Sequence, residues 1–355
     1  MLRAEISTAA LQGNLARVRQ TAPASHVLAV VKANAYGHGL VATAQALAAA
    51  DGFGVARLEE AAALRAAGVR QPILLLEGVP DAGQLTEAAR LQLQIVVHEA
   101  EQIALLEQAP AALRCVVWLK VNTGMNRLGF REQEFAAAYA RLGALRDKVP
   151  ELRLMTHFAQ AEEPAAPLTT AQRAMFATLT AGKPEKCSLA NSAAIFALPD
   201  THAQWVRPGI SLYGASPFAN RTGTDLGLAP AMKLISTVIA VRDVPAGETV
   251  GYGGAWRAAR DSRVAIIAAG YADGLFRGTD FATPVLVHGR RATLAGTVSM
   301  DMAALDVTGI ESVQPGDEVV LFGPELPVEE VAAHAGTIGY ELLCAVSQRV
   351  PRVMV

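Results

Sequence analysis

The chain has 355 residues, of which 52% are hydrophobic and 18% charged, with a formal net charge of −2 at pH 7. This length exceeds one ordinary domain and suits two. The charges are dispersed along the chain, which argues against a surface for nucleic acid or for an anionic membrane. No apolar run approaches the ~18 uncharged residues that a membrane-spanning helix needs. These features predict a globular protein that binds neither nucleic acid nor membrane.

The three cysteines give a second constraint. Cys115, Cys187 and Cys344 lie far apart and form no Cys-x-x-Cys pair, which argues against a disulfide framework and against a zinc site. The N-terminal sequence MLRAEISTAALQGNLARVR carries early charges and lacks the apolar core of an export signal. We therefore expect a cytoplasmic protein without a metal site.

The first two thirds of the chain alternate short apolar runs with helix-forming stretches. Continuous apolar runs are typical of strands buried on both faces, as in parallel sheets. Helical spacing is seen in segments 58–68, which Gly68 closes, 99–109 and 131–145. The apolar runs are VLAVVK (27–32), GFGVA (52–56), PILLLE (72–77), QIVV (94–97), CVVWLKV (115–121), RLMTHFA (153–159), KCSLA (186–190) and WVRPGISLYG (205–214).

Eight strands, each followed by a helix, predict an α/β fold whose first domain, residues 1–225, is a (β/α)8 barrel. A doubly wound open sheet is the structural alternative. The first strand, LRAEIS (2–7), is expected to pack either on this barrel or on the domain that follows.

The alternation of apolar and helical segments ends at about residue 225. Short β-rich segments follow at 236–244, 263–270, 284–299, 302–308 and 317–323, with turns at PAGET and QPGDE. Only segment 328–336 has helical character. Residues 226–355 therefore predict a second, mostly antiparallel β domain.

Lys32 ends the first apolar run of the predicted barrel. The C-terminal ends of barrel strands face the active site, and a lysine there can form a Schiff base with an aldehyde cofactor if burial lowers its pKa. A lone strand-end lysine otherwise extends its ammonium group to solvent. Position alone does not decide between the two.

Later strand ends add further polar groups. Taken singly, His157 could be a satisfied core imidazole, Ser192 a helix N-cap and Arg207 half of a surface ion pair. Taken together at one rim, the residues favour a ligand site, with a phosphate cradle of exposed N–H groups near the last two strands. The set comprises Arg127, His157, Ser192, Arg207, Gly209 and Ile210.

Eight motifs are spread over nearly the whole chain: VVKANAYGHG (30–39), LKVNTGMNRLG (119–129), ANSAA (190–194), RPGISLYG (207–214), VGYGG (250–254), GYADG (270–274), SMD (299–301) and TIGYELLC (337–344). These motifs and their order resemble the alanine racemase family. The resemblance implies a barrel plus a β domain, pyridoxal phosphate as cofactor and a head-to-tail homodimer.

The resemblance assigns the cofactor-binding residues. Lys32 would carry pyridoxal phosphate through a Schiff base, and Arg207 would face its pyridine nitrogen. An arginine stays protonated and donates to that nitrogen, so the ring remains neutral and is a weaker electron sink than a pyridinium. Hydroxyl and backbone donors to the phosphate would come from Tyr36, Ser192, Gly209, Ile210 and Tyr340.

Racemisation requires acid–base groups on opposite faces of Cα. The resemblance makes Lys32 one of them and Tyr252 the other, with Tyr252 supplied by the neighbouring subunit. A tyrosine has an ordinary pKa near ~10 and must be hydrogen-bonded or otherwise perturbed to act as a base at neutral pH. His157, itself linked to Arg207, would be its partner.

The same resemblance assigns the substrate-binding and entrance residues. Arg127 would pair with the substrate carboxylate, assisted by the backbone at Met300. Tyr271 and Asp301 would line the entrance. Lys120 matches a lysine that many relatives carry as a carbamate, which would orient Arg127; a plain strand-end lysine is the alternative, because carbamylation depends on burial.

The sequence thus indicates an alanine racemase-type isomerase that supplies D-alanine for peptidoglycan. A racemase of serine or of several amino acids is an alternative with the same fold. A decarboxylase would need cysteine and acidic residues for a distal group, which we do not find. A non-catalytic carrier of pyridoxal phosphate would have no use for residues 230–355 or for Tyr252.

Overall fold

The computed structural model describes residues 2–355. The chain forms two compact units. The first, called the barrel unit, comprises Leu15–Ala35 and Leu40–Leu212. The second, called the β unit, comprises the N-terminal residues up to Asn14, Tyr36–Gly39 and Tyr213–Val355.

The barrel unit contains a parallel sheet of eight strands in the order β8-β7-β6-β5-β4-β3-β2-β9. The N–H of Arg207, which follows β9, donates to the carbonyl of Ala190, which follows β8, at 2.9 Å, and so closes the sheet. The predicted (β/α)8 barrel is therefore confirmed. Its strands are β2 (His26–Val30), β3 (Gly52–Val55), β4 (Ile73–Leu75), β5 (Gln94–Val97), β6 (Val117–Lys120), β7 (Leu152–Met155), β8 (Lys186–Ser188) and β9 (Trp205–Val206).

Helices connect the strands where the sequence shows helical spacing. Helix Leu58–Ala66 ends before Gly68, whose φ of 82° is unfavourable for any residue with a Cβ. The aspartate cap of helix Ala82–Arg90 is formed by Asp81, whose carboxylate accepts from the Gln84 N–H. The other helices before residue 200 are Thr8–Thr21, Leu40–Ala46, Ala100–Gln108, Glu132–Ala144, Pro167–Thr180 and Ser192–Ala197.

The β unit is built on a sheet in the order β13-β16-β15-β14-β17-β10-β1-β18, with β13 also pairing with β10. All pairings in this sheet are antiparallel except that of β1 with β18, as the mostly antiparallel prediction requires. The strands are β1 (Arg3–Ile6), β10 (Met232–Val244), β13 (Ser262–Ile267), β14 (Pro284–Val287), β15 (Arg290–Leu294), β16 (Ala303–Asp306), β17 (Glu318–Phe322) and β18 (Arg352–Met354), with a separate hairpin of β11 (Thr249–Val250) and β12 (Trp256–Arg257).

Two features of the β unit concern the ends of the chain. Strand β1 pairs with β10, with Arg3 opposite Ile235. Besides the expected helix Val328–His334, a second helix covers Gly339–Ala345, so the prediction of one helical segment was wrong. The missed helix is as short as Val328–His334 but, unlike it, begins on a glycine, a residue of low helix propensity.

No helix within residues 2–355 is long and apolar enough to cross a membrane.

Candidate active site

Polar side chains follow the C-terminal ends of five barrel strands. Lys120 is the last residue of β6 and Arg207 directly follows β9. Lys32 and His157 come two residues after β2 and β7, and Ser192 comes four residues after β8. Because the strands are parallel and closed, all five residues lie at the same rim of the barrel.

The segment after Lys32 has an unusual backbone. Ala33, Asn34, Ala35 and Tyr36 have φ angles of 54, 53, 54 and 51°, a left-handed conformation that costs about 1–2 kcal/mol for each residue other than glycine. Two side chains in the barrel unit hold this turn. Glu60 Oε1 accepts from the Ala33 N–H at 2.7 Å, and Asn34 Oδ1 accepts from the Leu40 N–H at 2.9 Å. The structure therefore holds a strained backbone beside Lys32, and nothing in the sequence pattern marks Glu60 as one of its supports.

Arg207 is buried and strongly bonded. Its NH1 donates to Ser188 Oγ at 2.6 Å, and its NH2 donates to the Thr156 carbonyl at 2.7 Å. Burial lowers the pKa of Arg207 to about 10, so the guanidinium remains a cation at neutral pH. Its Nε donates to no group within residues 2–355 and is available to a ligand.

His157 is bonded to the same guanidinium. Arg207 NH2 lies 3.2 Å from His157 Nδ1. Burial, and then the positive charge of Arg207, hold the pKa of His157 well below its ordinary value, so the imidazole is neutral. Because a guanidinium can only donate, Nδ1 must be the acceptor and the proton of the neutral ring is on Nε2.

Lys120 is a second buried cation at this rim, with 8% of the residue exposed. Burial is the main cause that lowers its pKa to about 8, and the charges of Arg207, Arg127 and Lys32 lower it further. Within residues 2–355 its ammonium group has no hydrogen bond or ion pair. The charges that act on Lys120 are all positive, so the rim favours anionic ligands.

Arg127 is presented by a loop that local sequence determines. Asn122 Oδ1 accepts from the N–H groups of Gly124 and Asn126 at 3.1 and 3.0 Å. Gly129 has a φ of 115°, and a Cβ there would lie 2.7 Å from the Asn122 nitrogen, which only glycine avoids. The asparagines and the glycine of the NTGMNRLG segment thus shape the loop that carries the exposed Arg127.

Ser192 does not cap the helix that it begins. The cap of helix Ser192–Ala197 is Asn191, whose Oδ1 accepts from the Ala194 N–H. The Ser192 hydroxyl instead accepts from the Gly209 N–H at 2.8 Å and lies 3.1 Å from Ser211 Oγ. Buried hydroxyl and amide donors, including the N–H of neighbouring Ile210, therefore meet at one point. Ser211 is an addition to the residues predicted from the sequence.

Within the β unit, Tyr36 packs among other aromatic rings. Its ring stacks on that of Tyr213 with centroids 4.7 Å apart, and the ring of Tyr340 lies 6.1 Å away. Burial raises the pKa of Tyr36, so its hydroxyl keeps its proton and can donate. Tyr252 has the opposite environment: it is 69% exposed in the turn Tyr252–Gly254.

The segments that contain Tyr271 and Asp301 are joined in the β unit. The Tyr271 N–H donates to the Ser299 carbonyl at 2.9 Å, and the Ala272 N–H donates to the Met300 carbonyl at 3.0 Å. Arg349 connects the two segments through side chains. Its Nε donates to the buried Asp273 at 2.7 Å and its NH2 to Asp301 at 2.5 Å. Arg349 and Asp273 were not recognised in the sequence.

Comparisons with known proteins agree with this arrangement. The family model of the alanine racemase N-terminal domain matches residues 6–217, and that of the alanine racemase C-terminal domain matches residues 231–354. The chain is 50% identical over 348 residues to alanine racemase of Shewanella baltica (strain OS185), covering 98% of this chain and 97% of that one.

Solved structures give the same result. The biosynthetic alanine racemase from Pseudomonas aeruginosa superposes with a TM-score of 0.95 at 46% identity, covering 100% of this chain and 99% of that one. Alanine racemase from Bartonella henselae, solved with covalently bound pyridoxal phosphate, has a TM-score of 0.90 at 31% identity, with coverage of 100% and 99%.

A (β/α)8 barrel and a mostly antiparallel β domain are the architecture that this chain shares with these solved alanine racemases. The two family models cover nearly the whole chain. The chain belongs to the alanine racemase family, whose members are isomerases that depend on pyridoxal phosphate.

Proposed function

We propose that this enzyme interconverts L-alanine and D-alanine, with Lys32 and Tyr252 as its two acid–base groups. The observation that carries the proposal is the cationic rim: Lys32, Lys120 and Arg207 all lie at the C-terminal ends of barrel strands. The nearby positive charges also lower the pKa of Lys120. A site of this charge is suited to two anions, a phosphate on the cofactor and a carboxylate on the substrate.

The residues present fit pyridoxal phosphate. Lys32 supplies the amine that would hold it, and the free Nε of Arg207 supplies a donor for its pyridine nitrogen. Ser192, Gly209 and Ile210 would hold its phosphate from the barrel unit; from the β unit, Tyr36 and Tyr340 would add hydroxyl donors. When bound, the cofactor withdraws electrons from the amino acid and so acidifies its Cα proton.

The chain's own groups then move the proton. Lys32 removes or returns it on one face of Cα, and Tyr252 does so on the other. For this a phenolate must be stabilised near neutral pH. Neutral His157, with its proton on Nε2, is a donor suited to that task, and Arg207 fixes this tautomer from the other side of the ring.

Arg127 would pair with the substrate carboxylate, with help from the backbone at Met300. The surroundings of Lys120 favour a carbamate over a plain lysine. The lowered pKa of Lys120 leaves a fraction of its amine neutral at neutral pH. The neutral amine adds to CO2 and releases a proton, which converts a cation among cations into an anion. That anion would orient Arg127.

Substrate size would be set at the entrance. Tyr271 is 41% exposed, and Asp301 is held by Arg349 through its carboxylate. We propose that these two residues, with Tyr340, narrow the entrance so that a methyl side chain is preferred over larger ones. Racemisation of serine at a comparable rate would indicate a wider entrance.

We propose a head-to-tail homodimer in which Tyr252 acts in the site of the partner subunit. Large apolar side chains that are exposed in the β unit support this: Tyr252, Tyr271, Met300, Met302 and Ile338 are each between 41% and 69% exposed. Apolar side chains exposed in such numbers are typical of a surface that another chain covers.

A reducing compartment, the cytoplasm, agrees with the state of the cysteines. Cys115, Cys187 and Cys344 are all free. Burial raises the pKa of Cys115 to about 12 and that of Cys187 to about 11, so these two thiols stay protonated and unreactive.

The first test combines a spectrum with an exchange assay. We expect the purified protein to show a visible absorption band that a Lys32→Ala variant lacks, and to deuterate Cα of L-alanine in D2O while forming D-alanine. A coloured protein that exchanges no amino acid proton would contradict racemisation and support a carrier. A protein that binds no added pyridoxal phosphate would overturn the whole assignment.

A mixing experiment tests the shared site. Lys32→Ala and Tyr252→Phe are each expected to be inactive, but half of the randomly mixed dimers pair one of each. Each such dimer would have one complete site, so about a quarter of the native activity should return. No recovery after subunit exchange, verified by mass spectrometry of the mixed dimer, would show that both groups come from one chain.

A further inference from the structure

A second cleft opens in the barrel unit beside the N-terminal ends of β5 and β6, the ends away from the active-site rim. Its volume is about 540 Å³, within the range of small-molecule sites. Three arginines, Arg65, Arg70 and Arg114, line it, and its lining includes no carboxylate. Apolar wall is contributed by Pro72, Leu93 and Pro150 among others.

The three arginines have different roles. Arg65 is already hydrogen-bonded to the walls of the cleft. Its guanidinium donates to backbone carbonyls, among them those of Leu91 and Gln71, at distances of 2.8 to 3.1 Å. Arg70 is exposed and has no hydrogen bond or ion pair within residues 2–355. Arg114 donates from NH1 to the Asp147 carbonyl, which leaves its other N–H groups available. Arg70 and Arg114 therefore bring to the cleft charged N–H donors that have no acceptor within residues 2–355.

Gln94, the first residue of β5, is a further donor and is 8% exposed. Its Oε1 accepts from Trp118 Nε1 at 2.7 Å and from Arg153 NH1 at 3.4 Å. Both of those groups can only donate, so the atom between them must be the amide oxygen. The amide nitrogen then has no acceptor within residues 2–355 and keeps some contact with solvent, so a ligand in the cleft can reach it.

We propose that this cleft binds a small organic anion that has carboxylate or phosphate oxygens and an apolar body. The anion would accept from Arg70, Arg114 and the Gln94 amide, with Arg65 adding positive charge. The apolar wall would cover its carbon skeleton. The site is separate from the chemistry at the other end of the strands and does not depend on the proposed racemisation.

Binding of an anion in the cleft would change the surroundings of two tryptophans. The Arg153 guanidinium lies over the rings of both Trp118 and Trp205, at 5.0 and 4.8 Å from their centroids. Gln94 bonds both to Arg153 and to Trp118. A ligand that draws on the Gln94 amide therefore changes the surroundings of both indoles, and tryptophan fluorescence should report it.

The test uses the enzyme with pyridoxal phosphate bound and with Trp256 replaced by Phe, so that only Trp118 and Trp205 emit. Citrate and inorganic phosphate are titrated separately at constant ionic strength, with chloride as the balancing anion. We expect a saturable fluorescence change. Arg70→Gln and Arg114→Gln should each weaken binding about ten-fold, the effect of losing one charge-assisted hydrogen bond. A response to citrate alone assigns carboxylates, and a response to phosphate alone assigns phosphorylated compounds.

Arg290→Gln is the matched control, because it removes one exposed arginine that does not line the cleft. Gln94→Glu is a second probe: it keeps an oxygen for Trp118 and Arg153 but replaces the donor with a negative group, and it should abolish the response. The proposal is overturned if neither anion gives a saturable change, or if Arg70→Gln, Arg114→Gln and Arg290→Gln bind equally well.

Discussion

The NH2 group of Arg207 lies 3.2 Å from Nδ1 of His157, and this contact joins a guanidinium that stays charged to an imidazole that stays neutral. Burial, and then the positive charge of the guanidinium, disfavours a protonated imidazole. The histidine yields its proton, and not the arginine, because it has the lower ordinary pKa. His157 is therefore a neutral ring with its proton on Nε2, and that N–H can donate a hydrogen bond to one partner.

Neutral His157 should give the enzyme a specific acid sensitivity. Its pKa in the folded protein is below the unfolded value of ~6.5, so below pH ~6.5 the unfolded chain takes up a proton that the folded one does not. Stability therefore falls as pH decreases through this range. We expect His157→Gln to reduce that slope by up to about 1.4 kcal/mol per pH unit between pH 6.5 and 5.

Urea unfolding at pH 7.5, 6.5 and 5.5 measures the slope. His26→Gln is the control, because the His26 side chain is more than half exposed. Equal slopes for both variants would show that His157 accepts a proton in the folded protein.

Lys120 should destabilise the protein when it carries a bare ammonium. Its folded pKa of about 8 lies below the ordinary 10.5, so stability rises with pH between about 8 and 10.5 and the cost is complete below pH 8. At 1.4 kcal/mol per pKa unit this cost is of the order of 3 kcal/mol. In bicarbonate-free buffer at pH 7, Lys120→Met should therefore be the more stable protein, although less active.

Bicarbonate discriminates between the two states of Lys120. If a carbamate forms, bicarbonate should raise the melting temperature of the wild type, add the mass of one CO2 and give a ¹³C carbamate signal, and Lys120→Met should show none of these. If bicarbonate changes neither the melting temperature nor the mass of the wild type and produces no carbamate signal, Lys120 is an unmodified lysine.

Glu60 should matter for cofactor binding although it is not at the rim itself. Its carboxylate accepts from the N–H groups of Ala33, Ala56 and Arg57 at 2.7, 2.9 and 3.2 Å, and so links helix Leu58–Ala66 to the strained turn after Lys32. Glu60→Gln replaces one acceptor by a donor and removes the charge, at a cost of about 1–3 kcal/mol. We expect pyridoxal phosphate affinity to fall at least five-fold.

Absorbance titration of the apoenzyme measures that affinity. Glu59→Gln is matched to it, since it removes the same charge from the same first turn of the helix at an exposed position. If both variants bind the cofactor as the wild type does, the turn holds its conformation without Glu60.

The barrel was predictable from sequence because its strands are buried on both faces and appear as continuous apolar runs, VLAVVK becoming β2. The rim was predictable for a related reason, since position in a barrel strand determines which end a residue faces. The left-handed turn could not be predicted, because Ala33 and Ala35 disfavour positive φ and only tertiary contacts such as that of Glu60 hold them there. The placement of strand β1 could likewise not be predicted, because its partner β10 lies 226 or more residues away in sequence.

Gly129 provides the sharpest test of how local backbone geometry presents Arg127. An alanine there would place its Cβ 2.7 Å from the Asn122 nitrogen at a φ of 115°, so the loop must shift or strain. We expect Gly129→Ala to lose about 2–3 kcal/mol of stability and to raise KM about ten-fold, because Arg127 leaves its position for the substrate carboxylate.

The matched variant is Gly143→Ala. Gly143 lies inside helix Glu132–Ala144, where a new Cβ meets nothing within 4 Å, and alanine should add about 0.5–1 kcal/mol. Thermal unfolding and steady-state kinetics on both variants separate the effects: stability should move in opposite directions, and only Gly129→Ala should change KM. An unchanged KM in a folded Gly129→Ala enzyme would mean that this loop does not position the carboxylate-binding arginine.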